Sequence, residues 1–226
     1  MVRAFFGNAR SGFFAEVGAN DPFERSQTWH LEQLGWTGVL VEPQPDLAVQ
    51  LLKARTAKVF AAACSSPENL GRTMSLHVAG PLSSLHRERM APGEAPASVI
   101  EVPVRTLNDI LQEAEAPSPI DLLSIDVEGH EIEVLHGFDL ARWRPRLIMI
   151  EDHVGDLERH WYLQSSGYRL IRRVGNNGWY VPAIEQFKIS WGDRWEIWRK
   201  YYLALPFRLL RNALRRLRRL LRPNRT

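Results

Sequence analysis

The sequence has a single cysteine, Cys64, in 226 residues. One thiol excludes an intramolecular disulfide framework and a cysteine-based zinc site, and it favours a reducing compartment. The chain also has no apolar run of the ~20 residues that a membrane-spanning helix needs. Residues 1–12 hold only the short apolar pair Phe5 and Phe6, which is too little for a signal peptide. These absences predict a cytoplasmic protein.

A second absence is the G-x-G-x-x-G pattern of dinucleotide sites. At the end of the first predicted strand the chain reads EVGAND, with Asn20 in place of the second glycine. That glycine admits the pyrophosphate, so a nicotinamide-dependent oxidoreductase is disfavoured. A ligand without pyrophosphate needs only one close backbone approach, which Gly18 supplies. The alternative interpretation is that Gly18 is present only because the tight turn requires a glycine.

Acidic residues are absent from the C-terminal segment 208–226, which holds eight arginines. The net charge of +3 therefore divides into a basic tail and a body with a net charge of −5. Apolar residues recur here at steps of three and four, at Leu203, Phe207, Leu210, Leu214, Leu217 and Leu221. The pattern predicts a basic amphipathic helix that contacts the inner membrane surface peripherally, the acidic body or a partner. Nucleic acid is disfavoured, because no groove motif or aromatic stacking platform accompanies the arginines.

An aromatic run precedes this tail and consists of Trp191, Trp195, Trp198, Tyr201 and Tyr202. Its rings predict an interfacial belt or a sugar-stacking surface, with packing of a helix onto the core as the alternative. We therefore predict one domain over residues 1–190, followed by an aromatic and then basic helical tail over residues 191–226.

The chain contains enough apolar residues, 45% against 24% charged, to fold around one core. Strands are predicted at 13–17, 37–41, 59–63, 120–125 and 146–150, helices near Pro22 and at 28–34, 46–55, 106–115, 128–136 and 155–166, and a hairpin at 168–174 and 179–181. This alternation predicts an α/β, Rossmann-like fold. Its sheet has seven strands and is mostly parallel, with a C-terminal hairpin.

A stretch rich in Pro, Gly and Ser, residues 80–97, interrupts this alternation. Short alternating segments at 73–78 and 99–104 flank it, and we interpret it as a functional or mobile loop. Ser83, Ser84 and His86 in this loop are candidates for contact with a cofactor or an acceptor.

Charged residues follow the predicted strands, at the edge where open α/β sheets bind ligands. Glu42 ends the second strand, 24 residues after Gly18. Nucleoside sites place an acid at this spacing, where it accepts hydrogen bonds from both ribose hydroxyls. Exposed acids are common at strand ends, so Glu42 alone is weak evidence for a nucleoside site. It becomes stronger evidence together with the turn at residues 16–21.

A denser cluster follows the fourth strand and consists of Asp126, Glu128, His130 and Glu131. Carboxylates this close together raise one another's pKa, which makes a general base useful near neutral pH. We rank Asp126 first as base or orienting acid and His130 second. Stabilisation of the helix dipole is the alternative role for Glu128 and Glu131.

Together, three segments resemble the FkbM-type methyltransferases. They read FAEVGAND at 14–21, LGWTGVLVEP at 34–43 and IDLLSIDVEGHE at 120–131, within a similarity over about residues 11–153. The resemblance implies a class I methyltransferase fold, S-adenosylmethionine as cofactor, and methylation of oxygen on sugars, polyketides or glycan components. It also implies the following contacts: Glu16, Gly18 and Asn20 with the methionine end, Glu42 with the ribose, Ala63 or Cys64 with the adenine edge, and Asp126 beside the methyl group.

Glu151, Asp152 and His153 follow the fifth predicted strand, next to the strand that ends at Asp126. This layout resembles magnesium-dependent catechol and macrolide-sugar O-methyltransferases, in which oxygen ligands from neighbouring strand ends hold the metal. Mg²⁺ is therefore an alternative second cofactor, and it would lower the pKa of the acceptor hydroxyl.

The leading hypothesis is an O-methyltransferase that acts on a hydroxyl of a sugar, glycan, glycolipid or related natural product. The alternative is a catalytically weak family member that acts as a membrane or glycan adaptor through its C-terminal tail. The similarity begins so near Met1 that a preceding lid helix is expected to be short or absent. This expectation motivates the second hypothesis.

Overall fold

The computed structural model describes residues 2–7, 9–80, 83–86, 96–152, 157–203, 206–207 and 210. The chain divides into two compact units, residues 1–151 and residues 152–226, and each is described by itself. The domain boundary that the sequence predicts at residue 190 stays a prediction. Among the described helices, none combines the length and the apolar character needed to cross a membrane.

The first unit alternates strands and helices, as predicted. Its strands are β1 (Phe13–Val17), β2 (Thr37–Val41), β3 (Lys58–Phe60), β4 (Ala63–Cys64), β5 (Thr73–Val78), β6 (Ser98–Arg105), β7 (Leu122–Ile125) and β8 (Leu147–Glu151). Its helices are α1 (Val2–Phe6), α2 (Trp29–Glu32), α3 (Pro45–Ala54), α4 (Leu107–Glu113), α5 (Glu131–His136) and α6 (Leu140–Trp143), with a short 3₁₀ helix at Pro67–Asn69.

Five of these strands form a parallel array in the order β3-β2-β1-β7-β8. Strands covered on both faces are apolar along their whole length rather than alternating. The strand β7 follows this rule with the fully buried sequence LLSI, and β8 does so with LIMIE. Full burial of each large aliphatic side chain contributes roughly 1.5–3 kcal/mol, so this array is the core of the unit.

The predicted strand at 59–63 is wrong as a single element. Lys58–Phe60 pairs with β2 in the main sheet, whereas Ala63–Cys64 pairs with β6 in a separate three-stranded sheet of order β4-β6-β5. The small sheet has its own apolar cluster, formed by Ala63, Leu76, Val102 and Val104. The apolar run is continuous through the break, so hydrophobic periodicity does not reveal it.

Two predicted helix starts also differ from the structure. No helix begins near Pro22, because the Asp21 carboxylate accepts the backbone N–H groups of Phe23 and Glu24 in a tight turn, and Arg25 has φ +62°. The helix predicted from Glu128 begins at Glu131 instead. By contrast, the predicted cap at Thr106 is confirmed, since its hydroxyl accepts the N–H of Asp109, 3.1 Å away.

The second unit contains α7 (Glu158–Ser165), β9 (Tyr168–Val174), β10 (Asn177–Pro182), α8 (Trp191–Trp198) and a π-helical turn at Arg199–Leu203. The antiparallel pair β9–β10 is the predicted C-terminal hairpin. The main sheet has seven strands in all, which confirms the predicted Rossmann-like α/β fold. The predicted amphipathic tail lies largely outside the described residues.

A buried polar cluster centres on Asp152 in the second unit. The Asp152 carboxylate accepts hydrogen bonds from the hydroxyls of Tyr180 and Tyr201 and forms an ion pair with Arg173 at 3.2 Å. Burial raises the pKa of Tyr201, so its hydroxyl stays a donor. Asp152 is therefore a structural residue in this unit, and the hypothesis that it binds Mg²⁺ is not supported.

Candidate active site

The register of the parallel strands aligns the residues that follow them. Val17 at the end of β1 lies opposite Val41 of β2 and Ile125 of β7. Because these strands end level with one another, the first residues beyond them share one edge of the sheet. Gly18, Glu42 and Asp126 are those residues. All three were predicted from sequence as site residues.

The first turn is held by backbone contacts in which Gly18 is essential. The N–H groups of Gly18 and Ala19 both donate to the carbonyl of Val41, at 2.9 and 3.1 Å. Gly18 has φ +82°, and a Cβ atom there would lie 1.9 Å from the Asp126 carbonyl oxygen. The close approach that requires this glycine is therefore to the Asp126 backbone. This finding favours the turn over direct ligand contact as the reason for the glycine.

Glu42 links the first two strand ends. One carboxylate oxygen accepts the N–H of Asn20 at 2.8 Å, and the other accepts the N–H of Gln44 at 2.9 Å. The Gln44 side chain also hydrogen-bonds this carboxylate. A carboxylate has about four lone-pair sites, so Glu42 keeps acceptor capacity for a further donor. Burial raises the pKa of the Glu42 carboxyl, and these two backbone hydrogen bonds act in the opposite direction.

Asn20, which replaces the second glycine of the dinucleotide pattern, has φ +51°. Asn tolerates this left-handed region better than most residues do. The conformation presents its N–H group to Glu42 and turns the chain at the sheet edge. Asn20 thus supports the position of Glu42, whatever its side chain contacts in a complex.

Glu16 is a buried member of a polar network. Its carboxylate accepts hydrogen bonds from the Gln27 N–H at 2.9 Å and from the Thr28 hydroxyl. The Arg55 guanidinium donates to Thr28 at 2.8 Å and forms a buried ion pair with Glu32. Burial raises the pKa of Glu16, while the Thr28 and Gln27 hydrogen bonds lower it. Sequence reasoning missed this network, because its members lie on four separate segments.

A pocket lies at this edge of the sheet. Five residues predicted to bind the cofactor line it: Gly18, Asn20, Glu42, Cys64 and Asp126. All three predicted catalytic residues also line it, namely Asp126, Glu128 and His130. Apolar side chains line another part of its wall, among them Leu76 and Leu85. Three carboxylates contribute to the lining, and no described lining residue is Lys or Arg. This pocket favours a cationic ligand over a phosphorylated one.

A second pocket shares Gly18, Asn20, Asp126 and Glu128 with the first. Its further lining residues include Glu16, Asp21, Glu24 and Arg25. The shared residues form a common wall between the two cavities. Two neighbouring ligands that react with one another would meet at this wall.

Cys64 is fully buried at the apolar side of the first pocket. Burial raises the pKa of its thiol to about 12, so the thiolate is not formed near neutral pH. This supports the predicted role as a small packing residue and argues against a reactive thiol.

The loop after β7 carries the acids that were predicted to be catalytic. Asp126 is exposed, and Glu128 adopts φ +51°. Glu131 is fully buried, and its carboxylate accepts the N–H of Gly129 at 2.8 Å. The hydroxyl of Ser84 donates to the Glu128 carbonyl at 2.8 Å. Glu131 and Ser84 therefore shape the loop, whereas Asp126 faces solvent at the pocket.

His130 is 2% exposed, and both of its ring nitrogens have neighbours. Its Nε2 lies 2.9 Å from the Ser65 hydroxyl, and its Nδ1 lies 3.0 Å from Nε2 of His86. Burial lowers the pKa of His130, and the nearby Glu133 carboxylate acts in the opposite direction. These contacts make His130 a weaker candidate than Asp126 for the base. Ser65 and Glu133 were not found from the sequence.

Asp126, Glu128 and Glu151 form a carboxylate cluster, in which one oxygen from each lies within 4.8 Å of the others. Glu151 joins it because Ile125 and Ile150 are register partners on β7 and β8. Of the predicted oxygen ligands for Mg²⁺, the cluster contains Asp126 and Glu151. His153 lies outside the described residues.

The strand order and the strand-edge pocket define a Rossmann-like α/β protein with a candidate binding site at the carboxyl edge of its sheet. Residues 16–188 match the methyltransferase FkbM domain, so the chain belongs to the FkbM methyltransferase family. The crystal structure of methyltransferase FkbM from Methylobacillus flagellatus KT is 16% identical, with a TM-score of 0.49. The alignment covers 76% of this chain, which spans 44% of that protein. Among curated proteins, no match is found.

Proposed function

We propose that this protein transfers a methyl group from S-adenosylmethionine to a hydroxyl of a sugar, glycan, glycolipid or related natural-product acceptor. The observation that carries the proposal is the alignment of Gly18, Glu42 and Asp126 at the ends of three adjacent strands. Membership of the FkbM methyltransferase family supports the reaction class. The acceptor class rests on the family resemblance.

The donor set of the first pocket fits the cofactor. The Glu42 carboxylate has acceptor capacity left for a ribose hydroxyl, and Cys64 and Leu76 offer an apolar surface to the adenine. The carboxylates of Asp126 and Glu128 favour a positively charged ligand. When bound, S-adenosylmethionine supplies an electrophilic methyl group on a cationic sulfur.

Methylation of a hydroxyl requires removal of its proton, and Asp126 is our candidate base. It is exposed at the wall that both pockets share. An acceptor hydroxyl in the second pocket would donate its proton to this carboxylate while its oxygen bonds to the methyl carbon and the bond from that carbon to sulfur breaks. Glu128 and Glu151 each place one carboxylate oxygen within 4.8 Å of a carboxylate oxygen of Asp126.

Calorimetric titration with S-adenosylmethionine tests the cofactor. We expect wild-type protein to bind it and Glu42→Ala to bind it more weakly by roughly 1 to 3 kcal/mol. Glu68→Ala is the matched control, because Glu68 is an exposed acid on the 3₁₀ helix and does not line either pocket. No binding by the wild type at millimolar cofactor would refute the proposal.

Transfer itself is tested with a methyl-labelled cofactor and a panel of hydroxylated acceptors. We expect Asp126→Asn to lower turnover at saturating cofactor by roughly 10²- to 10⁴-fold. Asp46→Asn, at an exposed position on α3, should leave turnover unchanged. Equal turnover in wild type and Asp126→Asn would remove Asp126 from this role.

The magnesium alternative is tested in the same assay. The carboxylate cluster offers the hard oxygen ligands that Mg²⁺ prefers. If the cation is needed, chelation stops turnover, Mg²⁺ alone restores it, and Glu151→Gln prevents the restoration. Undiminished turnover in EDTA removes Mg²⁺ from the mechanism.

A second candidate function, adaptor binding at an anionic membrane, is favoured by the aromatic surface of α8. Trp191, Trp195 and Trp198 are 86%, 54% and 46% exposed, and such rings favour the membrane interface. The arginines that follow in the sequence would add about 1 kcal/mol each near anionic lipid. Sedimentation with vesicles that contain anionic lipid, against neutral vesicles, tests this function. Trp191→Ser with Trp195→Ser should reduce the bound fraction; equal binding to both vesicle types would contradict it.

A further inference from the structure

Two imidazoles and a carboxylate converge beside the first pocket, apart from the carboxylate cluster. His86 follows β5, His130 ends the loop after β7, and Glu133 lies in the first turn of α5. His86 Nε2 is 3.0 Å from His130 Nδ1, which is 3.6 Å from Glu133 Oε2. One ligand atom from each of the three lies within 4.8 Å of the others.

His130 and the loop that carries His86 are held in place by neighbouring residues. The Ser65 hydroxyl contacts His130 Nε2 at 2.9 Å, which leaves Nδ1 on the side of His86. Ser84 anchors the loop that carries His86, through a donated hydrogen bond to Glu128 and a β-bridge to His77. A hydrogen bond to the ring nitrogen that does not bind the metal, such as the Ser65 contact with His130 Nε2, orients a metal-binding histidine.

One atom in the cluster lacks a hydrogen bond. Glu133 Oε2 is buried and has no hydrogen-bond donor within the described part of the chain. A buried carboxylate oxygen in this state is unfavourable unless a cation or a donor reaches it. Glu133 Oε2 lies 3.6 Å from His130 Nδ1.

We propose that His86 Nε2, His130 Nδ1 and Glu133 Oε2 bind one divalent transition-metal ion of the zinc class. Around a tetrahedral ion with bonds of about 2.0–2.1 Å, neighbouring ligand atoms lie about 3.3 Å apart. The distances of 3.0 and 3.6 Å lie on either side of that value. Imidazole ligands select zinc, copper or nickel over magnesium, so this site differs in chemistry from the carboxylate cluster.

Three protein ligands leave one position of a tetrahedral ion open for water or a hydroxyl. His130 also lines the first pocket, so the ion would lie behind that part of the pocket wall. It would join the loop at residues 83–86 to α5. Metal binding does not depend on the proposed methyl transfer, and the two are tested separately.

The test uses the full chain, stripped with EDTA and desalted, and titrated with Zn²⁺ against a chromogenic chelator. We expect one equivalent to bind. His86→Ala and Glu133→Gln should each weaken binding by at least ~10- to 100-fold, because removal of an outer-shell partner alone has an effect of that size. His136→Ala removes an exposed imidazole from the same helix and should leave affinity unchanged. Titration with Co²⁺ should give the visible absorption of a four-coordinate ion in wild type and not in His86→Ala.

Three results would overturn the proposal. They are no stoichiometric binding by wild type, unchanged affinity in both His86→Ala and Glu133→Gln, and loss of binding in Glu151→Gln with retention in His86→Ala. The last would assign the metal to the carboxylate cluster. Glu133→Gln preserves side-chain volume, and S-adenosylmethionine binding by the same samples reports on the pocket. Zinc binding without cofactor binding would refute only the proposed function, and the reverse would refute only the metal site.

Discussion

The carbonyl oxygen of Asp126 lies 1.9 Å from the point that a Cβ atom would occupy on Gly18. The backbones after β1 and β7 therefore meet more closely than any side chain at position 18 allows. This contact fixes Asp126 beside the first turn, where Asp126 N–H also donates to Val17 at 3.0 Å. Gly18 thus positions the candidate base Asp126, although the two residues are more than a hundred positions apart in the sequence.

Gly18→Ala should lower the free energy of unfolding by about 2 to 5 kcal/mol, from backbone strain and overpacking together. Gly71→Ala is the control, since Gly71 has φ +74° but a Cβ atom there would meet no described atom within 4 Å. It should lose only the strain, about 1 to 2 kcal/mol. Urea unfolding measures both, and equal losses would contradict the close approach.

Affinity for S-adenosylmethionine should fall as pH falls, through Glu42. Burial raises the pKa of this carboxyl, so it takes up a proton at a higher pH than an exposed glutamate does. The protonated carboxyl has one acceptor oxygen fewer and should therefore bind the cofactor more weakly. Above the raised pKa the carboxyl is ionised, so the affinity should no longer change with pH. Calorimetry between about pH 5 and 8 should show this loss in wild type. Glu42→Gln should bind weakly without this dependence; an identical pH profile in both would contradict the assignment.

The Arg55–Glu32 pair should contribute strongly to stability, since its side chains are 0% and 4% exposed. Arg55→Met leaves the Glu32 charge buried and should lower the unfolding free energy by about 3–5 kcal/mol. Arg146→Met is the comparison, because the pair with Asp121 is 55% and 22% exposed. That change should lose at most about 1 kcal/mol. Thermal and urea unfolding of both variants decide whether burial makes the difference.

Cys64 should resist thiol reagents in the folded protein, because burial raises its pKa to about 12. Labelling at mildly alkaline pH should proceed only after denaturant is added. Cys64→Ala should retain cofactor binding, while Cys64→Phe should block the apolar end of the first pocket. Rapid labelling of the native protein would contradict the packing role.

The sheet and its strand-end residues could be predicted because they depend on local pattern. Continuous apolar runs mark β1, β2, β7 and β8, and the polar residue after each run marks the binding edge. The alignment of Gly18 with Glu42 then follows from the parallel order of the strands. The same reasoning failed at Pro22, where the Asp21 side chain turns the chain before a helix can start.

The contacts that complete the site could not be predicted, because they join distant segments. His86 and His130 are 44 positions apart, as are Ser84 and Glu128. Spacing along the chain carries no information on such pairs. The role of Glu16 was likewise hidden, since its partners Thr28 and Arg55 come from a loop and from the end of α3.

Only Ala61 and Ala62 separate β3 in the main sheet from β4 in the small sheet. Two residues reach at most about 7 Å, so the two sheets lie next to each other at this connection. The first pocket opens there, at Ala62 and Cys64. A molecule bound in this pocket would contact both sheets and stabilise their position relative to each other. Amide hydrogens of β4 and β6 should therefore exchange more slowly in the complex, even though most of β6 lies away from the ligand.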